Sequence, residues 1–172
     1  KVFMNPNMTP LPSGYTHVRH TFEPVFDERS RILILGSFPS VKSRENQFYY
    51  GHPQNRFWKL MALLLNVPVP QSTDEKKTML LTHGLALWDV ITSCDIKGSS
   101  DSSIKNAVPA DISRILKAAN IQTIIANGGT AFRLYRRYCE PVTGRPAALC
   151  PSTSPANAAF SLERLSECWS KF

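Results

Sequence analysis

Four short apolar runs punctuate the chain. Ile32-Leu33-Ile34-Leu35 is unbroken and stops at Gly36, and Thr123-Ile124-Ile125-Ala126 stops at Asn127-Gly128-Gly129. Leu85-Ala86-Leu87-Trp88 and Ala147-Ala148-Leu149-Cys150 are shorter examples of the same kind. A half-exposed strand alternates apolar and polar positions, so unbroken runs of this length predict strands buried on both faces. Between them the period becomes helical, at Phe57, Leu60, Met61, Leu64 and Leu65, then at Ile112, Ile115, Leu116 and Ala119. Leu162, Leu165, Cys168 and Trp169 give a C-terminal helix its inner face, and Arg133, Arg136 and Arg137 fall on a further helix as a solvated basic face. Alternation of strand and helix predicts an α/β domain, with parallel strands between helical layers. Ligands of such sheets bind beyond the carboxyl ends of the strands. Three of the four runs lead there into unusual loops, GSFPS, NGG and PSTSPAN.

Residues 1–24 carry Pro6, Pro10, Pro12, Gly14 and Pro24 without a sustained period. They predict an extended or partly disordered N-terminal arm, which leaves 25–172 as a single domain. A chain of 172 residues with 42% hydrophobic and 19% charged residues is not of the disordered, collagen-like or coiled-coil classes. It has no apolar run long enough to span a membrane, and its first residues lack the apolar segment of a secretory signal. Four cysteines without CxxC spacing fit reduced, mostly buried thiols and an intracellular location. The net charge of +7 points to an anionic partner, with nucleic acid foremost.

Candidate chemistry concentrates in three segments. Gly36-Ser37-Phe38-Pro39-Ser40 can present backbone N–H groups to an anion or a base edge, but it matches neither GxGxxG nor a P-loop, and taken alone it is better explained as an ordinary turn. Tyr49 to Trp58 (YYGHPQNRFW) is dense in aromatic and hydrogen-bonding groups where a helix should begin. There Tyr50 offers a stacking face, and Asn55 can either orient a polar group or cap the helix. Phe57 and Trp58 read as core. The third segment, Cys150 to Asn157, is a hydroxyl-rich loop that suits either a phosphate or local capping. Asp89, Asp95, Asp101 and the four histidines form no metal-ligand spacing, and the GxSxG elbow of a serine hydrolase is missing.

Taken together, RILILGSFPSVKSRENQFYYGHPQNRFWK (31–59), ALWDVITSC (86–94), IIANGGTAF (124–132) and CPSTSPANA (150–158) resemble the uracil-DNA glycosylase superfamily. Within it they are most similar to the hypoxanthine-DNA glycosylases. The resemblance implies a three-layer α/β/α fold around a four-stranded parallel sheet, with no cofactor or metal. It implies a monomeric, monofunctional enzyme that flips a deaminated base out of double-stranded DNA and hydrolyses its N-glycosidic bond. By the same resemblance Asn55 is catalytic, orienting a water or hydrogen-bonding the departing base, and His52 is either an electrostatic assistant or structural. Gly36, Ser37, Phe38, Pro39, Ser43, Tyr50 and Asn127 would surround the base. Ser152, Thr153, Ser154, Pro155, Ala156 and Asn157 would pinch the DNA backbone and fill the gap left by the base. Lys42, Arg44, Arg56 and Lys59 are expected to face the duplex. The mismatch-specific uracil/thymine glycosylases are similar too, but Phe38 stands where they carry a water-positioning Asn, which argues against their mechanism.

Three alternatives stay open at this point. One is a mismatch-directed uracil-DNA glycosylase, the second a non-catalytic nucleic-acid-binding module, and the third a small-molecule hydrolase using the same cleft.

Overall fold

A computed structural model describes residues 10–172. Its strands divide between two sheets, β1 (Thr16–Arg19), β2 (Ile32–Gly36), β3 (Leu85–Asp89), β4 (Ile91–Ile96), β5 (Lys105–Pro109), β6 (Thr123–Asn127) and β7 (Ala148–Cys150). The central sheet is parallel throughout, in the order β3–β2–β6–β7. These four strands are the four apolar runs. Leu33, Ile34 and Leu35 are successive yet all buried, which requires cover on both faces of the sheet.

That cover comes from helices. They are α1 (Val41–Asn46), α2 (Phe57–Leu65), α3 (Thr73–Thr82), α4 (Ser113–Ala118), α5 (Gly129–Tyr138), α6 (Glu140–Thr143) and α7 (Leu162–Trp169). Helix α3 packs on β3, α5 on β6 and β7, and α2 against α7. Phe57, at the start of α2, is wholly buried between Tyr50, Trp58 and Trp169. Truncating such a ring costs about 3–5 kcal/mol. The Trp58 indole N–H donates to the Tyr49 carbonyl (3.1 Å), and this bond fixes the chain just before the HPQN turn. Burial pushes the thiols of Cys94 and Cys139 up to about 11 and that of Cys150 up to about 12, so they stay protonated at neutral pH.

The second sheet was not expected from the sequence. It is antiparallel, in the order β1–β4–β5, and β4 follows β3 after the single residue Val90. The predicted N-terminal arm therefore includes a hydrogen-bonded strand, with Thr16 opposite Ile96 and Arg19 opposite Ser93. Residues 1–9 of that arm lie outside the described residues. Hydrogen bonds from Asn106 and His17 hold the Asp95 carboxyl below the usual carboxylate range and tie the three strands together. No helix among the described residues is long and apolar enough to cross a membrane.

Candidate active site

The carboxyl ends of β2, β3 and β6 converge on a cavity of about 300 Å³, a volume suited to a small ligand. Its walls bring together Gly36, Ser37, Phe38, Pro39, Ser43, Tyr50, His52, Asn55 and Asn127 with the loop residues Ser152 to Ala156. Among the described residues, no group of three His, Cys, Asp or Glu side chains is placed to hold a metal ion.

Asn55 takes up the local bracing role through its oxygen. Its Oδ1 accepts the N–H of Phe57 (2.9 Å), capping the start of α2, and also accepts the Thr153 hydroxyl (2.9 Å). Thr153 is fully buried and is itself gripped by Asn127, whose Oδ1 accepts the Thr153 N–H and whose Nδ2 donates to Thr153 Oγ1, both at 3.0 Å. Backbone N–H groups can only donate, so the orientation of both amides is determined. The relay runs one way, from Asn127 Nδ2 to Thr153 Oγ1 to Asn55 Oδ1. With Oδ1 doubly engaged, Asn55 has its Nδ2 left to offer as a donor.

Tyr50 lies against Phe57, with ring centroids 4.2 Å apart and planes at 26°. Its backbone is left-handed (φ 53), and its buried hydroxyl has no hydrogen-bond partner among the described residues. Burial, reinforced by the nearby Asp89 charge, drives the phenol pKa upward, so the ring stays neutral. Phe38 forms a buried apolar wall, its ring beneath the Arg44 guanidinium. Ser43 is an internal brace, because its Oγ accepts the Gly51 N–H (2.9 Å) and so fastens α1 to the HPQN turn. His52 Nδ1 accepts the Gln54 N–H (3.1 Å), which leaves Nε2 as the ring's free nitrogen.

Two expectations need correction. Arg56 does not face a duplex. Its guanidinium donates to the carbonyls of Ser154 (2.8 Å), Asn157 (3.1 Å) and Phe160, and so clamps the 152–160 loop from inside. Thr153 and Asn157 are likewise turned inward. Thr153 sits in the relay, and Asn157 Nδ2 donates to the Ser152 carbonyl (3.0 Å). The loop's N–H groups at Ser154, Ala156 and Asn157 bond within the loop itself, so it does not offer them as a backbone cradle for phosphate. Of the remaining cations, Lys42 is exposed but paired with Glu45 (3.1 Å), and Lys59 is exposed.

Two acidic residues and a histidine complete the site without having been singled out. Asp101 comes from an exposed 3-10 turn (Asp101–Ser103), yet its carboxyl folds inward to accept the Ser37 hydroxyl (2.8 Å). Loss of surrounding water raises its pKa, the neighbouring Asp89 charge adds to the rise, and the Ser37 bond opposes it. Asp89, at the end of β3, lines the cavity and accepts His20 Nε2 (2.8 Å). Isolated Asp and His residues carry no spacing signal, so only the fold could reveal these contacts.

The site is thus a hydrogen-bonding cavity of amides, hydroxyls, aromatic rings and two carboxyls at the strand ends of a parallel sheet, closed by a hydroxyl-rich loop, and it places the chain among the ligand-binding enzymes of the α/β class. The chain belongs to the uracil DNA glycosylase superfamily, whose family model matches residues 23–172. It is a DNA glycosylase acting on DNA. A protein of Methanosarcina acetivorans named hypoxanthine DNA glycosylase is 34% identical over 151 residues, covering 87% of this chain and 95% of its own. A namesake from Methanosarcina barkeri is 36% identical over 110 residues, covering 62% and 69%. The solution NMR structure of a candidate uracil DNA glycosylase from Methanosarcina acetivorans superposes with a TM-score of 0.75 at 34% identity, covering 87% of this chain and 92% of that one.

Proposed function

We propose that this glycosylase acts inside the cell on hypoxanthine in double-stranded DNA, as a monofunctional enzyme that leaves an abasic site. The observation that carries the reading is the polarised relay that ends on Asn55. An amide whose oxygen is locked presents a donor, which suits an acceptor atom on a departing purine better than it suits activation of a water. Flipping costs a few kcal/mol and less at a mismatch, so a mispaired deaminated base is the easiest to extrude. In the cavity the base lies beside Tyr50, with Phe38 as an apolar wall.

Hydrolysis moves the electron pair of the glycosidic bond onto the base, while positive charge grows on the sugar. Asn55 Nδ2 supports the first change by donating to the base. Asp101 supports the second through the carboxyl it places in the cavity wall. Water then adds to the sugar carbon, its proton passes to solvent, and no strong general base is needed. His52 contributes through its free Nε2. Phe38 leaves no side-chain hydrogen bond to hold a water at its position, which disfavours the mechanism of the mismatch uracil/thymine enzymes.

The test is alkaline cleavage of labelled duplexes carrying deoxyinosine, deoxyuridine or no lesion. Strand breaks are expected foremost at deoxyinosine. Breaks at deoxyuridine with none at deoxyinosine would overturn the base assignment.

A further inference from the structure

Asp89 is only 3% exposed, and a buried carboxylate needs partners for both of its oxygens. Oδ2 has one, His20 Nε2 at 2.8 Å, and the two side chains are 5% and 2% exposed. Oδ1 accepts no hydrogen bond among the described residues. It lies above Gly36, only 2.3 Å from where a side-chain carbon on that residue would sit, and both residues line the cavity. Any side chain at position 36 would collide with this oxygen, so glycine leaves it its place beside the cavity. The imidazole is fixed in turn by Phe22, whose ring centroid is 4.4 Å away, and by the strand β1 that precedes it.

A clamped carboxylate with one unmatched oxygen in a cavity wall selects for an N–H donor. Deamination creates one. Adenine and cytosine present a ring-nitrogen lone pair beside an amino group, whereas their deaminated products present a ring N–H beside a carbonyl. A carboxylate only accepts, so it matches the product and meets the parent base lone pair to lone pair. We propose that Asp89 Oδ1 accepts the ring N–H of the flipped base and thereby separates deaminated bases from their amino parents, with His20 as the residue that positions it. The inference rests on the base-flipping reading above. Asp101 is a poorer candidate, because it sits on an exposed turn at the cavity wall and its carboxyl already accepts Ser37.

The experiment measures single-turnover release from duplexes carrying hypoxanthine, uracil, adenine or unsubstituted purine, which keeps the ring without adding bulk but presents a lone pair in place of the N–H. Wild type should release hypoxanthine at least about 10-fold faster than purine, given the usual strength of a hydrogen bond to a charged group. Asp89→Asn should slow hypoxanthine release on the order of 10- to 100-fold, and it should narrow the preference over adenine because an amide can turn its donor toward the lone pair. His20→Gln, which keeps a donor, should preserve the preference, and His20→Phe should erode it. If wild type releases none of these bases, the base-flipping reading falls and this inference with it. If wild type releases hypoxanthine and Asp89→Asn shows the same preference, this inference alone falls. Should Asp89→Asn fail to fold, equal release of purine and hypoxanthine by the wild type overturns it just as well.

Discussion

A single amide in this site carries two loads, and a substitution can separate them. Asn55 caps α2 through Oδ1 and offers Nδ2 to the cavity. Aspartate caps a helix as well as asparagine does, so Asn55→Asp should leave the melting temperature nearly unchanged while removing the donor. Base release is expected to fall by about 100-fold or more, the scale on which one missing transition-state donor acts. Activity near wild type would show that the amide nitrogen is idle. Thr153→Val tests the residue behind it. Losing the hydroxyl leaves Asn55 Oδ1 and Asn127 Nδ2 each short of a partner, a cost of about 1–3 kcal/mol. Turnover should drop while affinity for duplex DNA holds, and Thr153→Ser should restore turnover. Asn55 could be singled out from its place in HPQN. Thr153 could not, because in PSTSPAN it looks like its neighbouring hydroxyls and only the fold shows that it alone is fully buried.

At the level of elements, what could be read ahead divides by burial. The four strands of the parallel sheet are apolar on both faces and announce themselves as unbroken runs. In the second sheet, β1 and β5 are mostly exposed and carry almost no period, and β4 runs on from β3 as if part of one segment. An edge strand held mainly by backbone bonds leaves little trace in side-chain pattern. The 152–160 loop shows the same limit. Its composition suggests contact with DNA, yet its shape is held from within by Arg56, a residue about 100 positions earlier whose charge had suggested the opposite direction. Arg56→Met keeps the aliphatic bulk and removes the clamp. Hydrogen exchange at the amides of 153–160 should speed up, and turnover should fall with it because Thr153 rides on this loop. Unchanged exchange would mean that the loop is held by its internal bonds alone.

For the molecule as a whole, attraction and chemistry are carried by different groups. Among the described residues no Lys or Arg lines the cavity, whose walls hold amides, hydroxyls, aromatic rings and the carboxyls of Asp89 and Asp101, although the chain carries a net charge of +7. Carboxylates there oppose the approach of phosphate, so cations outside the cavity, Lys42, Arg44 and Lys59 among them, must supply the long-range pull. Each phosphate neutralised releases condensed counterions and adds about 0.9 to the slope of log affinity against log salt. Four such contacts would cost about 100-fold in affinity between roughly 50 and 200 mM salt. Once the base is enclosed, salt has little access to it, because close and buried interactions are weakly screened. Duplex binding should therefore weaken steeply with salt, while the single-turnover rate at saturating enzyme stays level. Reversing charge at Lys59 with glutamate should flatten the binding slope by about one contact and leave that saturated rate alone. A rate that fell with salt in parallel with affinity would place the basic residues in the chemical step itself, and would break the division between a charged exterior that gathers DNA and a cavity that inspects bases.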